Sequence, residues 1–423
     1  MLYELWRNLA DSRRNELALW DASSGRRWTF GQLWTDGERR SLGGAPVIFP
    51  SGHSPEFILD LLAAWRGKRI VCPLEPGQSP PDFPPPPRCC VHLKCTSGTA
   101  GGSRMAALTA AQLAADAANI AATMELRPDW PNLGVISLAH SYGFSNLVLP
   151  LLLYGIPLIL APAPLPEIVR RAAGSQNAIT LAAVPAIWRA WHDAGAIPPN
   201  VRLAISAGAP LPAPLEQAVF RQSGVKIHNF LGASECGGIA YDAGAVPRSD
   251  PMLAGAPLRN VDLSLSQDGC LVVRGSAVAE SYWPEPSPAL GNGIFHTSDL
   301  AELKDGAVFL RGRVGDQINV AGRKVSPDAI EQALLAHPRV RECLVFGAPT
   351  RQAERAEAII AVVVSDAPEA ELRRFLLRTL PAWQVPRHWR FVERLEASAR
   401  GKRSRAAWRQ EFIRSQPAGL ARK

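Results

Sequence analysis

Lysine is what this chain has least of among its charged residues: seven lysines stand against 39 arginines in 423 residues. A lysine placed for chemistry therefore has few candidates. No Cys-x-x-Cys motif occurs, and the seven cysteines are irregularly spaced. That argues against a disulfide framework and predicts reduced thiols in a cytoplasmic protein. The densest cluster, CCVHLKC, places Cys89 and Cys90 side by side, a spacing that sends them to opposite faces of a strand rather than around zinc. MLYELWRNLADSRRNELALW has scattered charges and no apolar signal core. The longest uncharged run, LVLPLLLYGIPLILAPAP, is broken by Pro150, Gly155, Pro157, Pro162 and Pro164. It reads as a buried helix, a turn and a buried strand, with no membrane span. Internal repeats and an acidic tail are missing too.

What is present suits a large soluble core, with 47% hydrophobic and 20% charged residues. The length predicts two to four structural units. PVIFPSGHSPEFILDLLAAWRGKRIVCPLEP alternates strand, turn, helix and strand, the rhythm of an α/β layer. GVISLAH, NAITLAAV and NVRLAISAGAP read as further strands, and PPDFPPPP as a stiff connector. After about residue 255 short alternating strands and turn glycines suggest a small β-rich subdomain. From Gln317 an α+β pattern returns. Residues 317–423 carry 20 Lys/Arg against 11 Asp/Glu, whereas the preceding 316 carry 26 against 27. The formal net charge of +8 thus sits at the C-terminal end, which suggests an anionic partner there. Nothing in it interleaves aromatic and basic residues as a nucleic-acid module does.

The most informative stretch is CTSGTAGGSRM, Cys95 to Met105. It holds three glycines, hydroxyls at Thr96, Ser97, Thr99 and Ser103, one cation at Arg104, and no acid. A glycine-rich turn after a strand exposes backbone N–H groups that can surround an anion, and phosphate fits best. It is not a Walker loop, because Ser103 and Arg104 stand where Gly and Lys belong. Nor does it carry the G-x-G-x-x-G fingerprint.

The loop does resemble the Thr/Ser/Gly-rich loop of the AMP-forming adenylate ligases, which read T-S-G-T-T-G-x-P-K. That superfamily contains acyl-CoA synthetases, peptide-synthetase adenylation domains and luciferases. Here Ala100, Ser103 and Arg104 replace Thr, Pro and Lys. Later segments resemble the family's motifs in the family's order. AHSYGFSN, with His140 and Gly143, is similar to the segment beside the acyl pocket. SAGAPL, with Gly208, Ala209 and Pro210, is similar to the adenine-contacting turn. HNFLGASECGG resembles N-x-Y-G-x-T-E, with Gly232, Ser234 and Glu235 in register and Leu231 where an aromatic usually stacks on adenine. FHTSDL puts Asp299 on the ribose hydroxyls, with Arg313 as its companion. GRVGDQINVAGRKVSPDAIE resembles the hinge segment, and ASARGKRSR the last motif, with Gly401 and Lys402. The resemblance spans roughly residues 25–410.

The resemblance implies an α/β fold. A large N-terminal domain of layered subdomains plus the small β-rich one (1–316) would bind ATP and the acyl group, and a small mobile α+β lid (317–423) would follow. It implies ATP and Mg²⁺ as cofactors, with Glu235 and Thr99 as metal ligands. Thr96, Ser97, Gly98, Thr99, Gly101 and Arg104 would hold the phosphates. Lys402 would neutralise charge as a carboxylate attacks the α-phosphate, and His140 would shape the acyl site. The lid would then turn about Asp316 and bring the strand Gly322, Arg323, Lys324 to the thiol side. SYGFSN lacks the aspartate that amine-binding members carry, so a fatty or aromatic acid is implied rather than an amino acid. The thiol would come from CoA, or from the phosphopantetheine of an acidic carrier protein. A non-catalytic nucleotide- or acyl-binding relative is the alternative from another class. Only about 95 residues precede the loop, so the first subdomain is expected to be trimmed.

Overall fold

Six short apolar runs form neighbouring parallel strands of one large sheet. In spatial order they are Ile227–Ala233, Val201–Ser206, Ile179–Ala183, Asn132–Gly134, Leu158–Leu160 and Leu17–Asp21. ITLAA is buried throughout, as expected of a strand covered by helices on both faces. The covering helices Pro166–Gly174, Pro185–Asp193 and Ala213–Ser223 each begin with proline in the first turn, where a missing N–H costs nothing. Helix Ala110–Thr123 opens instead with a capping box between Thr109 and Gln112. The computed structural model describes residues 1–82, 84–96, 104–349, 357–395 and 404–415.

The strand order holds a switch point. From Asn132–Gly134 the chain moves to Leu158–Leu160 on one side, and from Ile179–Ala183 to Val201–Ser206 on the other. The loops leaving Gly134 and Ala183 therefore diverge, and ligands of such sheets bind in the crevice they leave. GVISLAH is a strand only at its start. Beyond Gly134 the Ser137 hydroxyl donates to Glu75 (2.8 Å) and accepts from the Ala139 N–H (3.2 Å), a side-chain turn that competes with the ladder. The uncharged run is a π-helical turn Phe144–Val148, a helix Leu149–Tyr154, left-handed Gly155 and the strand Leu158–Leu160.

Past Ile227–Ala233 the sheet turns antiparallel through Gly237–Tyr241, Leu253–Pro257, Ala307–Arg313, Ile294–Lys304, Cys270–Arg274 and Asp262–Leu265. The β-rich region thus joins the parallel part edge to edge. One of its strands, Ser281–Trp283, departs to a second, five-stranded sheet. There it pairs with Met105–Leu108, followed by His92–Cys95, Ile70–Val71 and Val47–Ile48. The hydrophobic cores divide the same way in sequence. The largest runs from Leu2 to Val308, and two smaller ones lie within residues 318–395. In the latter, Val340–Pro349 and Glu357–Ser365 pair antiparallel and are buried on both faces. Helices Pro327–Leu335 and Glu369–Leu376 cover one side, while Trp408 and Phe412 of helix Arg405–Ser415 pack on the other. Among the described residues no helix is long and apolar enough to cross a membrane, and the cysteines are free thiols.

Candidate functional site

The glycine-rich loop is the tip of a hairpin between His92–Cys95 and Met105–Leu108. At its base Thr96 donates to the Arg104 carbonyl twice, from its N–H (2.9 Å) and from its hydroxyl (2.8 Å). Ser97, Gly98, Thr99 and Gly101 lie outside the described residues. The Arg104 guanidinium sits 5.5 Å from the centre of the Tyr282 ring, a cation–π contact. Tyr282 in turn donates its hydroxyl to Glu235 Oε1 at 3.0 Å.

Glu235 is in the tight connection between Ile227–Ala233 and Gly237–Tyr241. Ser234 donates to the Cys95 carbonyl at 3.4 Å, so this connection touches the base of the glycine-rich hairpin across 139 residues of sequence. Asp116 secures it from behind by accepting from the Gly238 N–H at 3.1 Å. A side chain at Gly237 would collide with that carboxylate. Asp116 also pairs with Lys94 (3.4 Å) and accepts from Ser145 (2.6 Å), all three being buried. Gly232 is exposed and Leu231 half-buried beside it. Tyr282 occupies one Glu235 oxygen; the other has no hydrogen-bond partner among the described residues. Among the described residues no three His, Cys, Asp or Glu side chains are grouped so as to hold a metal ion. A metal here would thus be held by Glu235 together with oxygens of a bound phosphate, the habit of Mg²⁺. Thr99, the second proposed ligand, falls in the undescribed loop.

Gly208, Ala209 and Pro210 form an exposed turn at the carboxyl end of Val201–Ser206. Gly208 has φ +85°, which a side chain would resist, and its α-carbon faces Val184 just beyond the switch-point strand. A buried charge network holds the end of this turn. Arg248 donates to the Leu211 carbonyl (2.8 Å) and to Glu216 (2.8 Å), while Lys226 donates to Glu216 (2.5 Å) and Asp242 (2.6 Å). His140 is half-buried at the start of the short helix Ser141–Gly143, in the loop leaving Gly134. Its neighbour Tyr142 donates to the Ile205 carbonyl at 3.2 Å, fixing that loop to the strand that carries the Gly208–Pro210 turn.

Asp299 and Arg313 face each other across adjacent antiparallel strands and pair at 2.7 Å. Burial pushes the Cys236 thiol well up, and the charges of Glu235, Asp116 and Asp299 add to the shift, so Asp299 lies within electrostatic reach of the Glu235 connection. Asp316 accepts from Arg405 at 2.8 Å. Gly322 and Arg323 belong to the hairpin Ile318–Val320/Arg323–Val325, whose turn has Ala321 at φ +53° and Gly322 at +81°. Gly322, Arg323 and Lys324 are exposed, and Arg323 stacks on Trp383 at 5.4 Å. Lys402 and Gly401 lie outside the described residues.

The sequence pattern did not single out Tyr282, the Lys94–Asp116 pair or Arg405. Arg405 stands three residues after Lys402 and binds Asp316, Asp328, Glu331 (2.9 Å) and the Val345 carbonyl (3.1 Å). Its position beside the last motif was the available signal.

A family model described as AMP-binding enzyme matches residues 75–283, and one described as AMP-binding enzyme C-terminal domain matches residues 329–402. A probable 2-succinylbenzoate–CoA ligase of Mycobacterium tuberculosis is 31% identical over 336 residues, covering 75% of this chain and 83% of its own. A feruloyl-CoA synthase of Amycolatopsis sp is 27% identical over 397 residues, covering 87% of this chain and 79% of its own. In fold, the chain is similar to ATP-bound MatB from Rhodopseudomonas palustris (TM-score 0.84, 20% identity, 97% of this chain and 99% of that one). It is also similar to an anthranilate CoA ligase in complex with anthranoyl-AMP (TM-score 0.85, 19% identity, 98% of each chain).

Proposed function

The chain belongs to the AMP-binding enzyme family, and on that premise we propose that it is an AMP-forming acid–thiol ligase acting on an aromatic or acyl carboxylic acid, with CoA as the thiol. The carboxylate oxygen bonds to the α-phosphorus of ATP as pyrophosphate leaves, giving an acyl-adenylate. The thiol sulfur then bonds to the acyl carbon, AMP leaves with the carboxylate oxygen, and the thiol proton is released. The observation that carries this reading is the meeting of Arg104, Ser234, Glu235 and Tyr282 at the base of the glycine-rich hairpin, segments distant in sequence.

Each residue then has a task. Arg104 neutralises phosphate charge, and the hydroxyls and backbone of residues 96–101 cradle the phosphates. The exposed Gly208–Pro210 turn receives the adenine, and Asp299, oriented by Arg313, accepts from the ribose hydroxyls. His140 lines the acyl end of the crevice. A bound Mg²⁺, held by Glu235 and Thr99, supplies electrostatic neutralisation of the phosphates. Lys402 brings a second cation as two anions approach. We place the boundary between the nucleotide-binding domain and the lid at residues 316/317, with Asp316 as pivot and the Gly322–Lys324 strand serving the thiol half-reaction. The aromatic acids in the names of similar proteins favour an aryl acid, and the absence of an acid from SYGFSN disfavours an amino acid.

Carboxylate-dependent ATP–pyrophosphate exchange across a panel of aryl and acyl acids tests this. Exchange with at least one acid is expected, and Lys402→Ala should lower it by about 100-fold or more. Adding CoA should then release AMP stoichiometrically; release with a phosphopantetheinyl carrier protein alone would move the acceptor to that class. No exchange with any acid would leave a nucleotide- or acyl-binding protein.

A further inference from the structure

Arg104 and Glu235 carry opposite charges at one site, yet they do not form an ion pair. A direct pair would be strong in a partly desolvated site, and it would occupy the guanidinium needed by phosphate and the carboxylate needed by a metal. Tyr282 stands between them. Its ring carries the Arg104 guanidinium on its face, and its hydroxyl satisfies Glu235 Oε1.

The arrangement is held by backbone. Tyr282 lies opposite Ala106 in the ladder with Met105–Leu108, the strand that Arg104 enters. From the other side, the Ala279 N–H donates to the Glu235 carbonyl at 2.8 Å. One residue thus fixes the positions of two charges that reach the site from separate segments of the chain.

We propose that Tyr282 is a positioning residue that keeps Arg104 and Glu235 apart and presents the Glu235 carboxylate to the divalent cation of the bound nucleotide. This rests on the reading of the site as a Mg²⁺–ATP site. Tyr282 touches neither substrate nor metal in this account; it acts through Glu235.

ATP titrated calorimetrically into the full chain, once with Mg²⁺ and once with EDTA, tests the proposal without any acid substrate. Wild type should bind more tightly with Mg²⁺. Tyr282→Phe keeps the ring and removes the hydroxyl. It should leave ATP affinity in EDTA within about twofold and cut the gain from Mg²⁺ by about tenfold, the scale of one hydrogen bond to a charged group. Glu235→Gln should remove most of the gain, and adding Tyr282→Phe to it should change nothing further. A full Mg²⁺ gain in Tyr282→Phe overturns the proposal, as does an equal loss of affinity in both conditions, which a merely structural role would produce. A wild-type chain that binds no ATP in either condition overturns the functional reading first, and this inference with it.

Discussion

Arg248 and Arg405 each gather carboxylates from distant parts of the chain, but in different surroundings. Arg248 is 1% exposed and shares Glu216 with Lys226, which also binds Asp242. Two cations meet two anions, every partner is buried, and the Leu211 carbonyl at the end of the Gly208–Pro210 turn is tied in. Arg405 is 21% exposed and meets Asp316, Asp328 and Glu331 by itself. Among the described residues Arg405 alone bonds these three carboxylates, while Arg313 lies within electrostatic reach of Asp316 and Asp328. The first is a buried network with matched charges beneath the Gly208–Pro210 turn. The second is only partly buried, and it includes the residue proposed as the pivot. A joint that turns must exchange partners, and a partly exposed cluster does so at lower cost than a fully buried one.

The contrast breaks if the two clusters respond alike to loss of a charge. Glu216→Gln leaves Lys226 and Arg248 short of a counter-charge inside the core. It should cost about 3–5 kcal/mol in denaturant unfolding. Arg405→Gln leaves carboxylates that water can still reach, and the expected loss is smaller, about 2–3 kcal/mol by the same measurement. Equal losses would remove the distinction between fixture and joint.

A pH series sharpens it. Burial raises the Glu331 carboxyl from 4.5 to about 7, against the opposing pull of Arg405. The folded state then binds more protons than the unfolded one between these values. The contribution of Glu331 is therefore full below about pH 4.5 and is lost as pH rises through about 7. Melting temperature followed from pH 5 to 8 should show this fall in the wild type and a flatter profile in Glu331→Gln. An unchanged profile would show that Glu331 does not titrate in this range. The smallest effect concerns the hairpin proposed for the thiol side. Ala321 is held at φ +53°, a conformation that costs an alanine energy. Ala321→Gly should raise stability by about 0.5–1 kcal/mol, seen as a small shift of the denaturation midpoint.

Much of the site was legible because its signals are local. The glycines at 208 and 322 occupy left-handed positions that their turns require, and the Thr96–Arg104 loop closes a two-strand hairpin. The partners were not legible. Tyr282 and Glu235 are 47 residues apart, and Arg405 and Asp316 are 89 apart. Lys94 read as part of a strand, and only its neighbours Asp116 and Ser145, from two other segments, make it the centre of a buried polar knot.

The amino-acid sequence alone determined which segments are strands, helices and tight turns, and the order of the nucleotide-binding motifs, since these depend on residues within a few positions of each other. The tertiary structure alone decided which charges meet, which stay apart, and that Tyr282 stands between Arg104 and Glu235. Such pairings follow from strand order and register across whole sheets, and one residue of slip in the ladder would turn Tyr282 to the opposite face.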